Sequence, residues 1–219
     1  MKSPLLLIFV GTNGAGKSTM YERLIPVALQ DQIVNPDRIA LQLAQNKEYQ
    51  CINDLPENLK ESINLQAGKI ALKRRLELLS LHKDLIVETT GSSPSLLRLI
   101  SKAQSLGYLV RLECVTLGLS QLHLRRIATR VAAQGHYIED KVVLRRYERT
   151  WELLPQAIAL ADYAELFDNS NQLSKIMVKD ATGYKVNTQA LALLPQVAQQ
   201  RLKALLSQLS VNCDQDHTV

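Results

Sequence analysis

The chain has 219 residues, of which 46% are hydrophobic and 21% charged, with a formal net charge of +5. That is enough for one full core, and it excludes both a disordered chain and a small disulfide scaffold. The three cysteines, Cys51, Cys114 and Cys213, are far apart and odd in number, which fits a reducing compartment.

Leu5 to Val10 is an apolar run too short for a signal-peptide core or a membrane span, and it leads straight into a glycine-rich turn. It reads as a buried strand in a cytoplasmic protein with no membrane partner. A helix is expected from about Gly16 to Ala28, then a short strand at Ile33 and Val34. A longer helix starts near Pro56, where proline is tolerated in the first turn, and continues to about Leu79. Its Leu72, Leu76 and Leu79 fall at i, i+4 and i+7 on one face. Strands at Asp84–Glu88 and Tyr108–Cys114 flank a helix over Ser95–Leu106. Helices over Leu119–Ala133 and Ile138–Ala161 follow, and Pro155 is expected to bend or break the second. Strands come next at Tyr163–Phe167 and Lys175–Val178. The latter can pair antiparallel with Tyr184–Val186 across a turn at Asp180–Gly183. A helix over Thr188–Leu209 closes the pattern, and Asn212–Val219 reads as a loose tail. Short apolar runs alternating with helices predict an α/β fold, with a mostly parallel sheet covered by helices on both faces. No repeat or linker divides the chain, so residues 1–211 are expected to form one domain, with 121–149 as a lid-like excursion.

Gly11-Thr12-Asn13-Gly14-Ala15-Gly16-Lys17-Ser18 satisfies the pattern G-x-x-x-x-G-K-[ST], with a strand before it and a helix after. Glycines let backbone N–H groups converge on phosphate oxygens, and the helix N-terminus adds a favourable potential. Lys17 reaches the β- and γ-phosphates, and Ser18 offers a hydroxyl to Mg2+. With Thr19, these are the candidate residues for ATP. The loop by itself leaves open where the phosphate goes.

Asn35-Pro36-Asp37 follows the second strand, twenty residues beyond Lys17. Asp37 can accept the proton of an attacking hydroxyl, or it can cap the helix that begins at Arg38-Ile39-Ala40-Leu41. Glu88-Thr89-Thr90 ends the third strand, where ligands of open α/β sheets bind. Glu88 can hold metal through water, hold an acceptor hydroxyl, or accept N–H groups of the next helix. No acid-tipped strand stands out as a Walker B, since Tyr163–Asp168 is imperfect and late. Metal binding therefore rests on Ser18, phosphates and water, with Asp37 or Glu88 helping indirectly.

Between Gln121 and Arg149 there are seven basic residues against three acidic ones. Arg126 and Arg130 are four apart on one helix, Arg145 and Arg149 on the next, and Gln134-Gly135-His136 breaks the chain between them. Such a segment can fold over a triphosphate and neutralise the transferring group. The alternative is a solvated charged face. His136 reads as a turn residue and Trp151 as core packing. Nucleic acid as a partner is only weakly supported, because zinc-ligand spacing and a basic tail are absent and aromatic residues are few.

Taken in order, several motifs resemble the zeta-toxin-like kinase family, which includes UDP-N-acetylglucosamine kinases. They are the Gly11–Ser18 loop, Asn35-Pro36-Asp37, Glu88-Thr89-Thr90, Gly107-Tyr108, Arg126 through Arg130, Gly135-His136, Arg145-Arg146-Tyr147-Glu148-Arg149 and Asp168-Asn169-Ser170. The resemblance spans about Leu5 to Asn171. It implies a P-loop NTPase three-layer sandwich with a helical lid, using Mg2+ and ATP. It also implies Asp37 as the base, with Lys17, Arg130 and Arg145 (or its neighbour Arg146) on the transferring phosphate, and Glu88, Thr90 and Arg126 on the substrate. The implied acceptor is a nucleotide sugar such as UDP-N-acetylglucosamine, and the implied partner is an antitoxin over the ATP site. A kinase of a polynucleotide end or a protein, and a non-catalytic ATP-dependent switch, are the alternatives that share the loop.

Overall fold

β1, Leu5–Val10, is apolar throughout and buried from its second residue onward, because both its faces are covered. Leu6, Ile8 and Val10 point into one layer of the core, and Leu7 and Phe9 into the other. The computed structural model describes residues 3–30, 33–132 and 137–210. In it, β2 (Ile33–Val34), β3 (Leu85–Thr89), β4 (Leu109–Thr116) and β5 (Tyr163–Asp168) run parallel to β1. β6 (Ser174–Asp180) and β7 (Gly183–Val186) continue the sheet in antiparallel fashion, giving the order β2-β3-β1-β4-β5-β6-β7. The expected antiparallel far edge is therefore present.

The helices are α1 (Lys17–Leu24), α2 (Val27–Gln30), α3 (Pro36–Gln45), α4 (Glu57–Ser80), α5 (Ser95–Ser105), α6 (Ser120–Ala132), α7 (Asp140–Leu160), α8 (Thr188–Ala192) and α9 (Gln196–Gln208). α5, α7 and α9 bury Ile100, Leu154, Ile158, Leu202 and Leu206 against one face of the sheet. α1 packs Met20 and Tyr21 on the other. This is the three-layer arrangement the sequence predicts. Among the described residues no helix is long and apolar enough to cross a membrane.

Prolines account for two of the differences from expectation. The helix expected over Gly16–Ala28 splits, because Pro26 has no N–H and holds Ile25 extended at φ −105 and ψ 126. Likewise Pro195 starts α9 anew, so the expected Thr188–Leu209 helix is two. Of the bend or break expected at Pro155, the break does not occur, and α7 is continuous through it. Interior proline costs about 3 kcal/mol, whereas each fully buried Leu or Ile contributes about 1.5–3 kcal/mol. Leu154, Ala157 and Ile158 beside Pro155 are all buried, so packing outweighs the lost bond.

α4 forms as predicted but turns a different face inward. Leu72 and Leu76 are 58% and 53% exposed, and the buried line is Ile63, Ala67, Ala71 and Leu79. The small residues on that line let α4 approach Ala40 and Ala44 of α3, where leucines would hold the helices apart. The turn expected at Gln134-Gly135-His136, the helix end at Ala133, and the tail from Asn212 lie outside the described residues.

One close approach ties α9 to the site. A Cβ on Gly118, between β4 and α6, would collide with the backbone and Cβ of Ala198, while the Gly118 carbonyl accepts from Tyr147 Oη at 3.0 Å. Gly118→Ala is expected to destabilise the protein by about 1–3 kcal/mol and to lower Tm by roughly 2–4 °C per kcal/mol. Thermal unfolding reads this directly, and an unchanged Tm would mean that α9 shifts without cost.

Candidate active site

The chain leaves β1 at Val10, and Gly11 N donates to the Thr89 carbonyl at 3.2 Å, which ties the glycine loop to the end of β3. Gly16 caps α1 at φ +103, a conformation that favours glycine. A side chain there would also collide with the amide of Asn169. Lys17 is 6% exposed, donates to the Gly11 carbonyl at 2.7 Å, and lies 3.5 Å from Glu88 Oε1. The loop thus holds one buried ammonium against its own Gly11 and Thr12 carbonyls and the Glu88 carboxylate.

The loop is held from behind by three side chains. Asn169 Nδ2 donates to the Ala15 carbonyl at 2.9 Å, and Arg126 Nη2 donates to the Asn169 carbonyl at 2.5 Å. His123 Nδ1 lies 2.7 Å from the Asn13 carbonyl, which can only accept, so that nitrogen carries the proton. Burial lowers the His123 pKa to about 4, with Lys17 and Arg126 adding to the effect. His123 therefore braces the loop as a neutral ring, placing no further charge beside Lys17.

Asn35 decides what Asp37 is free to do. Its Oδ1 accepts from Asp37 N at 2.8 Å, which makes Asn35 the cap of α3 with Pro36 in the first turn. Its Nδ2 donates to Glu88 Oε2 at 2.6 Å. The capping role weighed for Asp37 thus falls to Asn35, and the Asp37 side chain is exposed on the loop-facing end of α3.

Two cavities meet here. The larger, about 570 Å³, is lined by Gly14, Gly16, Ser18, Thr19 and Tyr21 together with Arg126 and Arg130 of α6. The smaller, about 210 Å³, is lined by Thr89, Thr90, Arg75 and Arg146. Asn13, Lys17, Asn35, Asp37 and Glu88 line both. Thr90 is held by its own turn, with Oγ1 2.8 Å from Ser92 Oγ, and its carbonyl accepts from Thr150 Oγ1 at 2.9 Å. Arg126 and Arg130 thus stand on the side of the glycine loop, and Thr90 on the opposite side of the Asp37–Glu88 wall.

Of the second arginine pair, the structure brings neither Arg145 nor Arg149 to the site. α7 buries Val143, Tyr147, Thr150 and Leu154, and at 100° per residue Arg145 and Arg149 fall on the opposite, exposed side. Arg146 flanks the buried line, and its Nη1 donates to Asn13 Oδ1 at 2.9 Å. Burial lowers its pKa, and the nearby Asp37 carboxylate acts against that shift. Arg146→Ala is expected to reduce nucleotide turnover by about tenfold or more, the worth of a charged hydrogen bond. Arg145→Ala should change it by less than about twofold, as a surface substitution. Steady-state turnover of the two variants side by side checks the assignment.

Sequence patterns gave no sign of Arg75 or His123, each a lone polar residue on an otherwise apolar helix stripe. Asn35 carries a legible signal, since Asn is a preferred cap residue and the proline directly after it suits the first helical position. Among the described residues no cluster of three His, Cys, Asp or Glu side chains could hold a metal ion.

A sequence profile matches residues 6–154, running from β1 to within α7. The chain belongs to the AAA domain family. An uncharacterized protein of Haemophilus influenzae is similar to this AAA domain protein, at 27% identity over 141 residues, 64% of this chain and 91% of the relative. A chain of the AvrRxo1-ORF1:-ORF2 complex crystallised with ATP matches its fold at a TM-score of 0.71 and 15% identity, covering 98% of this chain and 66% of the other. A chain from the PezAT chromosomal toxin-antitoxin system of Streptococcus pneumoniae matches at 0.56 and 20%, covering 96% and 87%. At these identities the likeness to solved structures is one of fold. The AAA domain here is a P-loop NTPase fold with a nucleotide-binding loop at the C-terminal ends of the parallel strands.

Proposed function

We propose that this AAA domain protein is an ATP-dependent kinase of a small hydroxyl-bearing acceptor, related to the zeta-toxin-like kinases. The observation that carries the proposal is the common wall of the two cavities. Lys17, Asp37 and Glu88 line a large cavity at the glycine loop and also a small one beyond it. A phosphate held at the first and an alcohol held at the second would meet at Asp37.

The backbone N–H groups of the loop and Lys17 hold the triphosphate, and Arg126 and Arg130 face it from α6. The acceptor oxygen forms a bond to the γ-phosphorus as that phosphorus parts from the oxygen bridging it to the β-phosphate. Asp37 takes the hydroxyl proton, and ADP leaves with the bridging electron pair. Glu88, held by Asn35 Nδ2 at 2.6 Å, is placed to orient the acceptor hydroxyl. Ser18 on the loop and Glu88 across from it fit a magnesium ion bound mainly through phosphates and water. When bound, Mg2+ neutralises charge on the phosphates. Arg146 takes the role first expected of Arg145, and α6 with the start of α7 acts as the lid.

The finer parts of the proposal are a nucleotide-sugar acceptor of the UDP-N-acetylglucosamine kind, an antitoxin-like protein partner and a cytoplasmic setting. They are supported by the ordered motifs and by the fold shared with the PezAT chain. The test is incubation with Mg-ATP and a pool of nucleotide sugars, sugar phosphates and hydroxy acids, read by mass. One acceptor is expected to gain a phosphoryl group in step with ADP release. If ATP is consumed with no phosphorylated product, or only in response to a protein partner, the chain is a hydrolase or a switch instead.

A further inference from the structure

Arg75 interrupts the buried line of α4. Ile63, Ala67, Ala71 and Leu79 step along that line, and Arg75 stands where the next apolar residue is due. Its Nη2 makes one long hydrogen bond, 3.5 Å, to the Glu88 carbonyl, while its Nε is shielded from solvent with no partner. Among the described residues Arg75 makes no ion pair. Burial lowers its pKa, and no neighbouring carboxylate offsets that shift. A guanidinium shielded in this way is costly until an anion completes it, and an unsatisfied buried group in a native fold calls for a functional account.

Arg75 opens on the smaller cavity together with Lys17, Arg146, Asp37 and Glu88, so three cations face two carboxylates there. Lys17 already has the loop and Glu88, and Arg146 has Asn13. Arg75, like Arg146, lines the smaller cavity and has no place in the lining of the nucleotide cavity, but unlike Arg146 it has no side-chain partner among the described residues. At about 210 Å³ the acceptor cavity is smaller than the pockets that enclose drug-sized ligands. An anion at Arg75 and a hydroxyl at Asp37 therefore belong to one compact unit of the acceptor.

We propose that Arg75 binds an oxyanion, phosphate ester or carboxylate, carried by the acceptor close to its reacting hydroxyl; the substrate class is then a small anionic alcohol, in place of the larger nucleotide sugar that the ordered motifs suggest. The assignment rests on the kinase function proposed above. Arginine suits it because its planar fork grips two oxygens at once. A merely structural role, bracing β3 through the Glu88 carbonyl, would give no dependence on anions.

The full chain, loaded with Mg2+ and the non-hydrolysable β,γ-imido analogue of ATP so that the glycine loop is filled, is titrated by calorimetry with inorganic phosphate and separately with acetate. Wild type is expected to take up one equivalent of one of them. Preference for phosphate assigns phosphate esters, and preference for acetate assigns hydroxy acids. Arg75→Met, which keeps the aliphatic stem, is expected to weaken that uptake at least tenfold, and Arg75→Lys to recover part of it. Binding of the ATP analogue to each variant is measured alongside to show an intact loop. If Arg75→Met does not fold, Arg75→Lys and Arg75→Gln are compared in its place. No uptake by the loaded wild type, or equal uptake by the charge-free variant, overturns the proposal. The kinase function fails by a different result, namely absence of any phosphorylated acceptor while anion uptake still follows Arg75.

Discussion

Asp37→Asn is expected to lower acceptor phosphorylation by about 10²–10⁴-fold, the range supplied by a positioned general base, while ATP still binds. The substitution keeps size and polarity and removes only the ability to take a proton. It leaves the end of α3 intact, because the cap is Asn35, whose Oδ1 accepts from the backbone of residue 37 and not from its side chain. Asp37 is also exposed, so the fold does not depend on it. Rates of product formation with saturating ATP, together with nucleotide affinity and Tm, separate the possibilities. Full transfer by the variant would leave the proposed chemistry without its base. A fall in Tm with unchanged transfer would mean that the residue serves the helix after all. Asn35→Ala offers the complementary result, a loss of about 1 kcal/mol of stability from the missing cap, with Glu88 released as well.

Lys17→Met should reduce ATP turnover by about 10²–10³-fold, the cost of removing one preorganised donor to a developing oxyanion. Lys17 is 6% exposed, and its ammonium is within 3.5 Å of Glu88 and the carbonyls of Gly11 and Thr12. It is held where the triphosphate tail would lie, with its stem packed in the loop. Methionine fills that stem without the charge, so a lost activity reports the ammonium and not a cavity. Calorimetric titration with ATP and steady-state turnover are the measurements. A variant that binds and turns over ATP like the wild type would move the nucleotide site away from this loop.

The strands, most of the helices and the whole glycine loop were readable from residue order because they depend on local chemistry. An apolar run followed by glycines and then Lys-Ser has few conformations open to it, and the structure has the expected strand, turn and helix at residues 5–24. Glu88 was visible as the tip of an apolar strand. Its importance was not, since nothing in the order of residues says that β3 lies beside β1 with Phe9 opposite Glu88. Asp168, the other acid at a strand end, turns inward, with Oδ1 accepting from Ser170 N at 2.8 Å, and so braces its own turn. Which carboxylate meets the loop is a matter of strand order.

By itself, then, the sequence determined a phosphate-binding loop on a parallel α/β sheet and a set of charged candidates around it. Tertiary structure alone decided which of them face one another. A helix carries its side chains around the full circle, and only the partner it packs against selects the inward side. The small residues of α4 therefore turned Arg75 toward the site and left Leu72 and Leu76 in solvent. The buried line of α7 put Arg146 on the loop and Arg145 in water, a rotation of one residue that local sequence has no means to specify.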